Sequence, residues 1–251
     1  MVVYLAFGRR TEMTVRQAEG MPLWCVTVRQ GLLARRRCVR LLRDLWDRGA
    51  RRYICREAPL AALAETAGLT PYPVLPLRLA LLEKLLAVQC PAGAAEGAAV
   101  LRCGSGGEEI AGGALPVLAA WARCVRLDME RPEMLAGELL YRWGVAAGDG
   151  GRPVAVTVVC GAVQELPAGP VVYLTEDCAA RQQLEWTAPG AEKLPVPATE
   201  ALAAALVEAG RWRAADIRVL GCDAETEKPP QGRPCGGEGR RGAQPLAWWE
   251  K

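Results

Sequence analysis

Histidine is absent from all 251 residues, and so is asparagine; serine and phenylalanine occur once each, as Ser105 and Phe7. Histidine is the one side chain whose unperturbed pKa lies in the physiological range, and it is the commonest metal ligand. Its absence excludes a Ser-His-Asp triad, a Cys-His dyad and any histidine-ligated zinc site made within this chain. Close cysteine pairs are missing too. The ten cysteines never come nearer than 13 residues to one another, so neither a zinc ribbon nor a thioredoxin-like C-x-x-C can form. Most lie in apolar runs such as Trp24-Cys25-Val26 and Val158-Val159-Cys160, where a free thiol acts as a small hydrophobe. No apolar run approaches the length of a membrane span. The apolar start, 1–7, meets Arg9-Arg10 too early for a signal-peptide core, and no basic stretch precedes it. The expectation is a cytoplasmic protein with reduced thiols and no membrane contact.

Lysine is scarce as well, 4 against 27 arginines. That is the pattern a GC-rich, bacterial coding sequence imposes, and it accounts for the missing asparagine without any functional cause. What is abundant is apolar: hydrophobic residues are 51% of the chain, enough for a core in one larger α/β domain or two small ones. The net charge of +3 hides a strong asymmetry. Segment 29–56 holds ten arginines against Asp44 and Asp47, a local charge of +8 that leaves −5 for the rest of the chain. Such an imbalance can signal a polyanion partner.

Apolar periodicity places strands at 2–7, 13–18 and 23–29, with an alternation at Trp24, Val26 and Val28 that suits a half-buried sheet. A helix follows over 31–48, its apolar stripe at Cys38, Leu42, Leu45 and Trp46. Then come a strand at 52–55, a helix opened by Pro59, an extended proline-rich connection over 69–76, and an apolar helix over 77–88. After an Ala- and Gly-rich loop, the run 98–103 reads as a strand covered on both faces. Further on, the pattern gives a helix at 108–122, a strand at 124–129, a helix at 132–143, strands at 154–160 and 171–175, a helix at 178–186, a helix from Thr199 to 209 and a strand at 216–220. The β-α-β-α-β order from 98 to 160 is that of a parallel, right-handed α/β unit. Residues 223–245 contain nine Gly or Pro and almost nothing apolar, and read as a disordered tail ending in Trp248-Trp249.

Four constellations can carry function. The first is Cys103-Gly104-Ser105-Gly106-Gly107-Glu108, between a buried strand and a helix, with Asp128 at the end of the next strand. Glycines let the backbone approach a phosphate at a helix N-terminus, and an acid in the place of Asp128 can bond a ribose hydroxyl. Over about 98–130 the segment resembles the Rossmann dinucleotide- and S-adenosylmethionine-binding families. The resemblance implies that Gly104, Ser105, Gly106, Gly107 and Asp128 hold a nucleotide. It departs from G-x-G-x-x-G at Glu109, and Glu108 and Glu109 put two negative charges in the helix's first turn, which cap the dipole and repel phosphate. The competing reading is an ordinary glycine turn with acidic caps. The second is the arginine helix, where Arg36, Arg40 and Arg43 share a face and Arg35 and Arg37 flank them, a surface for polyanions or, equally, a solvated face. No aromatic residues interleave with these arginines and no DNA-binding module is visible, so a nucleic-acid partner is not expected. The third is the acidic set Asp128, Glu130, Glu133 and Glu138, whose members read as helix caps rather than as a metal site. Among nucleophiles, Cys55 and Cys103 stand beside Arg56 and Arg102, and Ser105 has only Lys84 or Lys193 as a conceivable base. The fourth is Trp248-Trp249, tandem aromatics suited to a partner protein's groove or to this protein's own surface.

Together these give an α/β protein with a Rossmann-like, mostly parallel three-layer sheet, an N-terminal antiparallel strand segment and a disordered C-terminal tail. The divisions are an arginine-bearing α/β segment at 1–92, a Rossmann-like segment at 93–222, able to form one continuous domain with the first, and the tail at 223–251. The function read from residues is a non-catalytic Rossmann-like protein with an interaction or regulatory role. The alternatives are a nucleotide-binding protein or enzyme using loop 104–107, and a polyanion binder using helix residues 35–43. No cofactor is required by the sequence, though a nucleotide is allowed.

Overall fold

The computed structural model describes residues 1–91, 97–148, 151–163, 167, 169–175 and 178–224. The expected boundary near 92 and the tail from 225 onward, including Trp248 and Trp249, lie outside the described residues.

Two five-stranded sheets and a smaller two-stranded one form the described part of the protein. The first contains β1 (Val2–Phe7), β2 (Glu12–Ala18), β3 (Met21–Val28), β4 (Arg52–Cys55) and β5 (Thr70–Pro71), in the order β2-β3-β1-β4-β5. The expected antiparallel character is confined to the β2–β3 hairpin. β1 pairs in parallel with both β3 and β4, and β4 with β5. β1 is covered on both faces, Val3 and Leu5 under α1 and α2 and Val2 and Tyr4 in the larger core on the other side, which explains why it is apolar in consecutive positions rather than alternate ones. Helices α1 (Leu32–Asp47) and α2 (Ala58–Thr66) cover one face, where Cys38, Leu42, Leu45, Leu60 and Ala64 pack on Val3, Leu5, Val26 and Val28. Trp46 does not join that stripe. It is 39% exposed, with the Arg51 guanidinium 4.3 Å above its ring.

Two helices, α3 (Leu75–Ala80) and α4 (Leu82–Gln89), stand where one was expected. Pro76 is tolerated in the first turn, so α3 begins inside the proline-rich stretch. The break comes at Leu81, whose amide bonds to both Leu77 and Arg78 carbonyls in a tightened turn.

The second sheet contains β6 (Ala98–Cys103), β7 (Cys124–Asp128), β8 (Ala146–Ala147), β9 (Val154–Cys160) and β10 (Val171–Leu174). Its order is β10-β9-β6-β7-β8 and every pairing is parallel. α5 (Glu108–Trp121) and α6 (Pro132–Trp143) connect β6, β7 and β8. The helix expected over 178–186 is cut short. α7 (Cys178–Arg181) gives way to β11 (Gln182–Thr187), antiparallel to β12 (Arg218–Ala224), which includes residues 223 and 224 of the expected tail. The alternation of burial along Gln182–Thr187 is the period-two pattern of a strand. Gln182 also serves the edge of β10 directly: its amide donates to Val171 O (2.8 Å) and its oxygen accepts from Tyr173 N–H (3.2 Å). α8 (Glu200–Glu208) follows, capped by the Thr199 hydroxyl on Leu202 N–H at 3.1 Å.

The two sheets share one hydrophobic core. Val2, Tyr4, Leu23 and Ile54 of the first join Leu82 and Leu85 of α4, Leu115 of α5, Leu202 and Leu206 of α8, and Leu101 and Val158 of the second. Each such side chain contributes roughly 1.5–3 kcal/mol on full burial. No helix among the described residues is long and apolar enough to cross a membrane.

Candidate functional site

The chain runs from β6 out through β7 to β8, then returns to β9 on the other side of β6. Ligands in open α/β sheets bind at such a reversal, outside the carboxyl ends of the strands. Loop 104–107 lies there. Gly104 N–H donates to Cys160 O (2.8 Å), Gly107 N–H to Gly104 O (3.1 Å) and Ala162 N–H to Ser105 O (3.3 Å). A Cβ on Gly104 would stand 1.7 Å from Ala162 O, and one on Gly107 2.5 Å from Cys160 O. Those two glycines are therefore demanded by the close passage of segment 160–162. Gly107 is buried and turned from solvent, so it shapes the loop rather than lining the site. Gly106 is different: its φ of +73° needs glycine, yet nothing lies within 4 Å of its would-be Cβ.

Gly104, Ser105, Gly106 and Asp128 line one cleft of about 1170 Å³, with Arg102 and Met134 among their neighbours. Arg102 and Asp128 face each other in register on β6 and β7, and Arg102 Nε donates to Asp128 Oδ2 at 2.7 Å. The lining carries two arginines (102 and 131) against four carboxylates (108, 109, 128 and 130), so the cleft is net acidic. Glu108 and Glu109 occupy the first turn of α5, where they answer the helix dipole themselves. Glu138 is paired with Arg142 at 2.9 Å, and among the described residues no three acidic or cysteine side chains group as metal ligands.

Cys55 and Cys103 are poor nucleophiles. Burial raises the Cys103 pKa, and Glu108 adds to the effect. Its register partner Cys160 is pushed up to about 12 by burial, and so is Cys55. Arg56 does not lower Cys55, because its guanidinium reaches Ala198 O at 2.8 Å. Lys84 does not serve Ser105: its ammonium donates to the carbonyls of Ala214 (3.0 Å), Ala215 (2.7 Å) and Ile217 (2.6 Å).

A second cavity of about 840 Å³ meets the cleft at Ser105, Gly106, Glu109 and Ala162. Leu75 and Leu79 of α3 form its wall, opposite Thr175 and Arg181. None of these four was legible in the sequence, because they meet only through tertiary packing. Behind them lies a buried polar hub. Arg78 has no exposed surface; its Nε and Nη2 donate to Glu200 Oε1 (2.5 Å) and Oε2 (2.8 Å), and Nη2 also to Gln182 O (2.5 Å). The signal was available: a lone arginine inside Leu75-Pro76-Leu77-Arg78-Leu79-Ala80-Leu81-Leu82 must be paired if that helix is buried.

The arginine helix lies elsewhere. Arg35, Arg36, Arg40 and Arg43 line a separate groove of about 420 Å³ beside Val39 and Leu63, while Arg37 is exposed outside its lining. Arg35 thus joins the shared face and Arg37 does not.

Strand order, parallel pairing and the glycine turn at the reversal define a Rossmann-like α/β protein. No protein-family model and no curated protein matches the sequence. Among solved structures, L-tryptophan dehydrogenase from Nostoc punctiforme is similar over 62% of this chain and 51% of its own, with 10% identity and a TM-score of 0.30. This chain thus spans about half the length of that protein, and a TM-score of that size carries no argument about function.

Proposed function

We propose that this chain binds a nucleoside-containing cofactor in the cleft above β6 and β7. One observation carries the reading: loop 104–106 and Asp128 open into the same cleft at the reversal of strand order. Gly106 offers backbone at the open side, and the Asp128 carboxylate, oriented by Arg102, can accept from ribose hydroxyls. The acidic lining refines the ligand. Four carboxylates against two arginines disfavour the diphosphate of a dinucleotide and favour a ligand with a positive centre, such as the sulfonium of S-adenosylmethionine. The test is thermal unfolding with NAD, NADP, S-adenosylmethionine, ATP and GTP. A ligand held only by the folded state adds about 2.7 kcal/mol at a hundredfold excess over Kd. We expect the largest saturable rise from S-adenosylmethionine, lost in Gly106→Asp and Asp128→Ala. No rise with any of the five at millimolar concentration would sink the reading.

A second reading, the non-catalytic interaction role, has its own observation. α6, which packs along the edge strand β8, exposes Leu140 (63%) and Tyr141 (92%), with Met134 (81%) exposed towards the cleft. Apolar side chains next to an unpaired strand edge suit contact with a second copy. Sedimentation equilibrium checks it: dimer is expected at micromolar concentration and monomer in Leu140→Ser/Tyr141→Ser. A monomer at all concentrations removes the reading.

A further inference from the structure

We propose that the groove between α1 and α2 is a second binding site, separate from the cleft, for a small molecule bearing two or more phosphate groups. Arg35, Arg36, Arg40 and Arg43 surround it, and Val39 and Leu63 lie between them. From Arg35 to Arg43 is about 12 Å along the helix at ~1.5 Å per residue, so the guanidinium groups address separate anionic centres rather than one.

The guanidinium groups are uncommitted. Among the described residues none of the four side chains makes a hydrogen bond or an ion pair, although Asp44 and Asp47 lie one turn beyond Arg40 and Arg43 on the same helix. An acid placed C-terminal to its base at that spacing is the weaker arrangement. α2 brings no competing acid to the groove: Glu65 accepts from the Tyr53 hydroxyl (3.0 Å), and Glu57 meets the Cys55 thiol (3.5 Å). Arg36, Arg40 and Arg43 stand at helical spacings where like charges repel, so the unoccupied cluster opposes folding rather than supporting it. An anion bridging them reverses that sign, and the planar guanidinium is the side chain best shaped to grip phosphate in pairs of hydrogen bonds. The groove's volume of about 420 Å³ suits a small polyphosphate and not a nucleic-acid duplex. The cleft, net acidic, repels such a ligand, which assigns the two sites to ligands of opposite charge.

The experiment is calorimetric titration of the full chain with sodium tripolyphosphate at ~50 mM salt, beside inorganic phosphate, a twelve-nucleotide single-stranded DNA and heparin. One-to-one saturation by tripolyphosphate is expected, at least tenfold tighter than inorganic phosphate. Arg36→Gln/Arg40→Gln/Arg43→Gln should weaken it tenfold or more while its melting temperature stays level or rises, which shows the variant folded. Gly106→Asp, altered in the cleft, should bind tripolyphosphate as the parent does. Four results overturn the proposal, the first three being unchanged binding in the triple variant, loss of binding in Gly106→Asp alone, and DNA binding tighter than tripolyphosphate with several nucleotides required. The last would make the surface a nucleic-acid contact. Absence of any saturation with tripolyphosphate overturns it too.

Discussion

The two sheets are made from similar parts and finish differently. Each has a parallel strand flanked on both sides, β1 in the first and β6 in the second. After β1 the chain passes through residues 8–11 into antiparallel β2, with Gly8 N–H returning to Val28 O at 3.0 Å, and the helices α1 and α2 begin instead after its neighbours β3 and β4. After β6 it turns through glycines straight into α5, and the neighbouring strand belongs to the returning half of the chain. The cleft of about 1170 Å³ opens in the second case. The first region keeps its charge instead on the flank of α1, the helix that follows β3. A parallel sheet alone does not open a cleft; the turn after its central strand and the direction of the next crossover do.

The two regions are tied most firmly where α3 meets α8 and β11. Arg78 on α3 is bound to Glu200 on α8 and to the backbone of β11. Removing one partner of a buried pair leaves the other charge uncompensated, so Arg78→Met should lose about 3–5 kcal/mol in guanidinium unfolding, and Arg78→Met/Glu200→Met should regain much of it. Because the core is continuous, both variants should still unfold in a single transition. Two separate transitions would show that the sheets fold independently.

Glycines sharpen the contrast next. Gly104→Ala drives a methyl into Ala162 O and should lose about 2–3 kcal/mol, with the 160–162 segment displaced. Gly49→Ala, at the end of α1, also has positive φ (+96°) but meets nothing within 4 Å, so only backbone strain of ~1 kcal/mol is expected. Chemical denaturation of the pair measures the difference directly, and equal losses would contradict the close passage at Gly104.

Thiols give the two regions a common response. Cys55 ends β4 and Cys160 ends β9, and burial pushes each up to about 12. A folded pKa raised above the unfolded one means stability that is complete below the unfolded value, ~8.5, and lost as pH climbs towards 12. Stability should fall between those limits by about 1.4 kcal/mol per pH unit for each thiol. Cys160→Ala should reduce that slope by one proton, as urea midpoints across the range would show.

The smallest effect is at the exposed side of the join. Glu208 accepts from Tyr72 Oη (2.6 Å) and Arg52 (2.9 Å), and the Tyr72 hydroxyl, then Arg52, hold its carboxyl below the usual range. That contribution is present above the ordinary carboxylate pKa and lost as pH falls through the lowered one. Its side chain is 60% exposed, so Glu208→Gln should lose less than ~1 kcal/mol at neutral pH, and nothing once the parent is acidified.

Much of this architecture was legible in the chain. The strands at 98–103 and 154–160 and the helix at 132–143 fall where apolar pattern, Pro132 and Gly144 place them. The failures have physical causes. Gln182–Thr187 looked helical because it follows Cys178–Arg181 without a breaker, and only pairing with Arg218–Ala224 makes it a strand. Trp46 looked like core, and is covered by Arg51 from five residues on, which periodicity does not register. In the candidate site, loop 104–107 and Asp128 were visible as a pattern, but the reason for each glycine was not. Gly104 and Gly107 answer to a segment nearly sixty residues away in sequence, and Gly107 never reaches the cleft.

By itself the sequence determined the alternation of helices and strands, the absence of histidine chemistry and the concentration of positive charge in 29–56. These are local or compositional properties, set by side-chain period and by which residues are present. Tertiary structure alone decided the pairing of Arg102 with Asp128, the burial of Arg78 against Glu200 and the second cavity formed by Leu75, Leu79, Thr175 and Arg181. Each depends on residues far apart in the chain being brought within a few ångströms, and a one-dimensional pattern carries no distance between its ends.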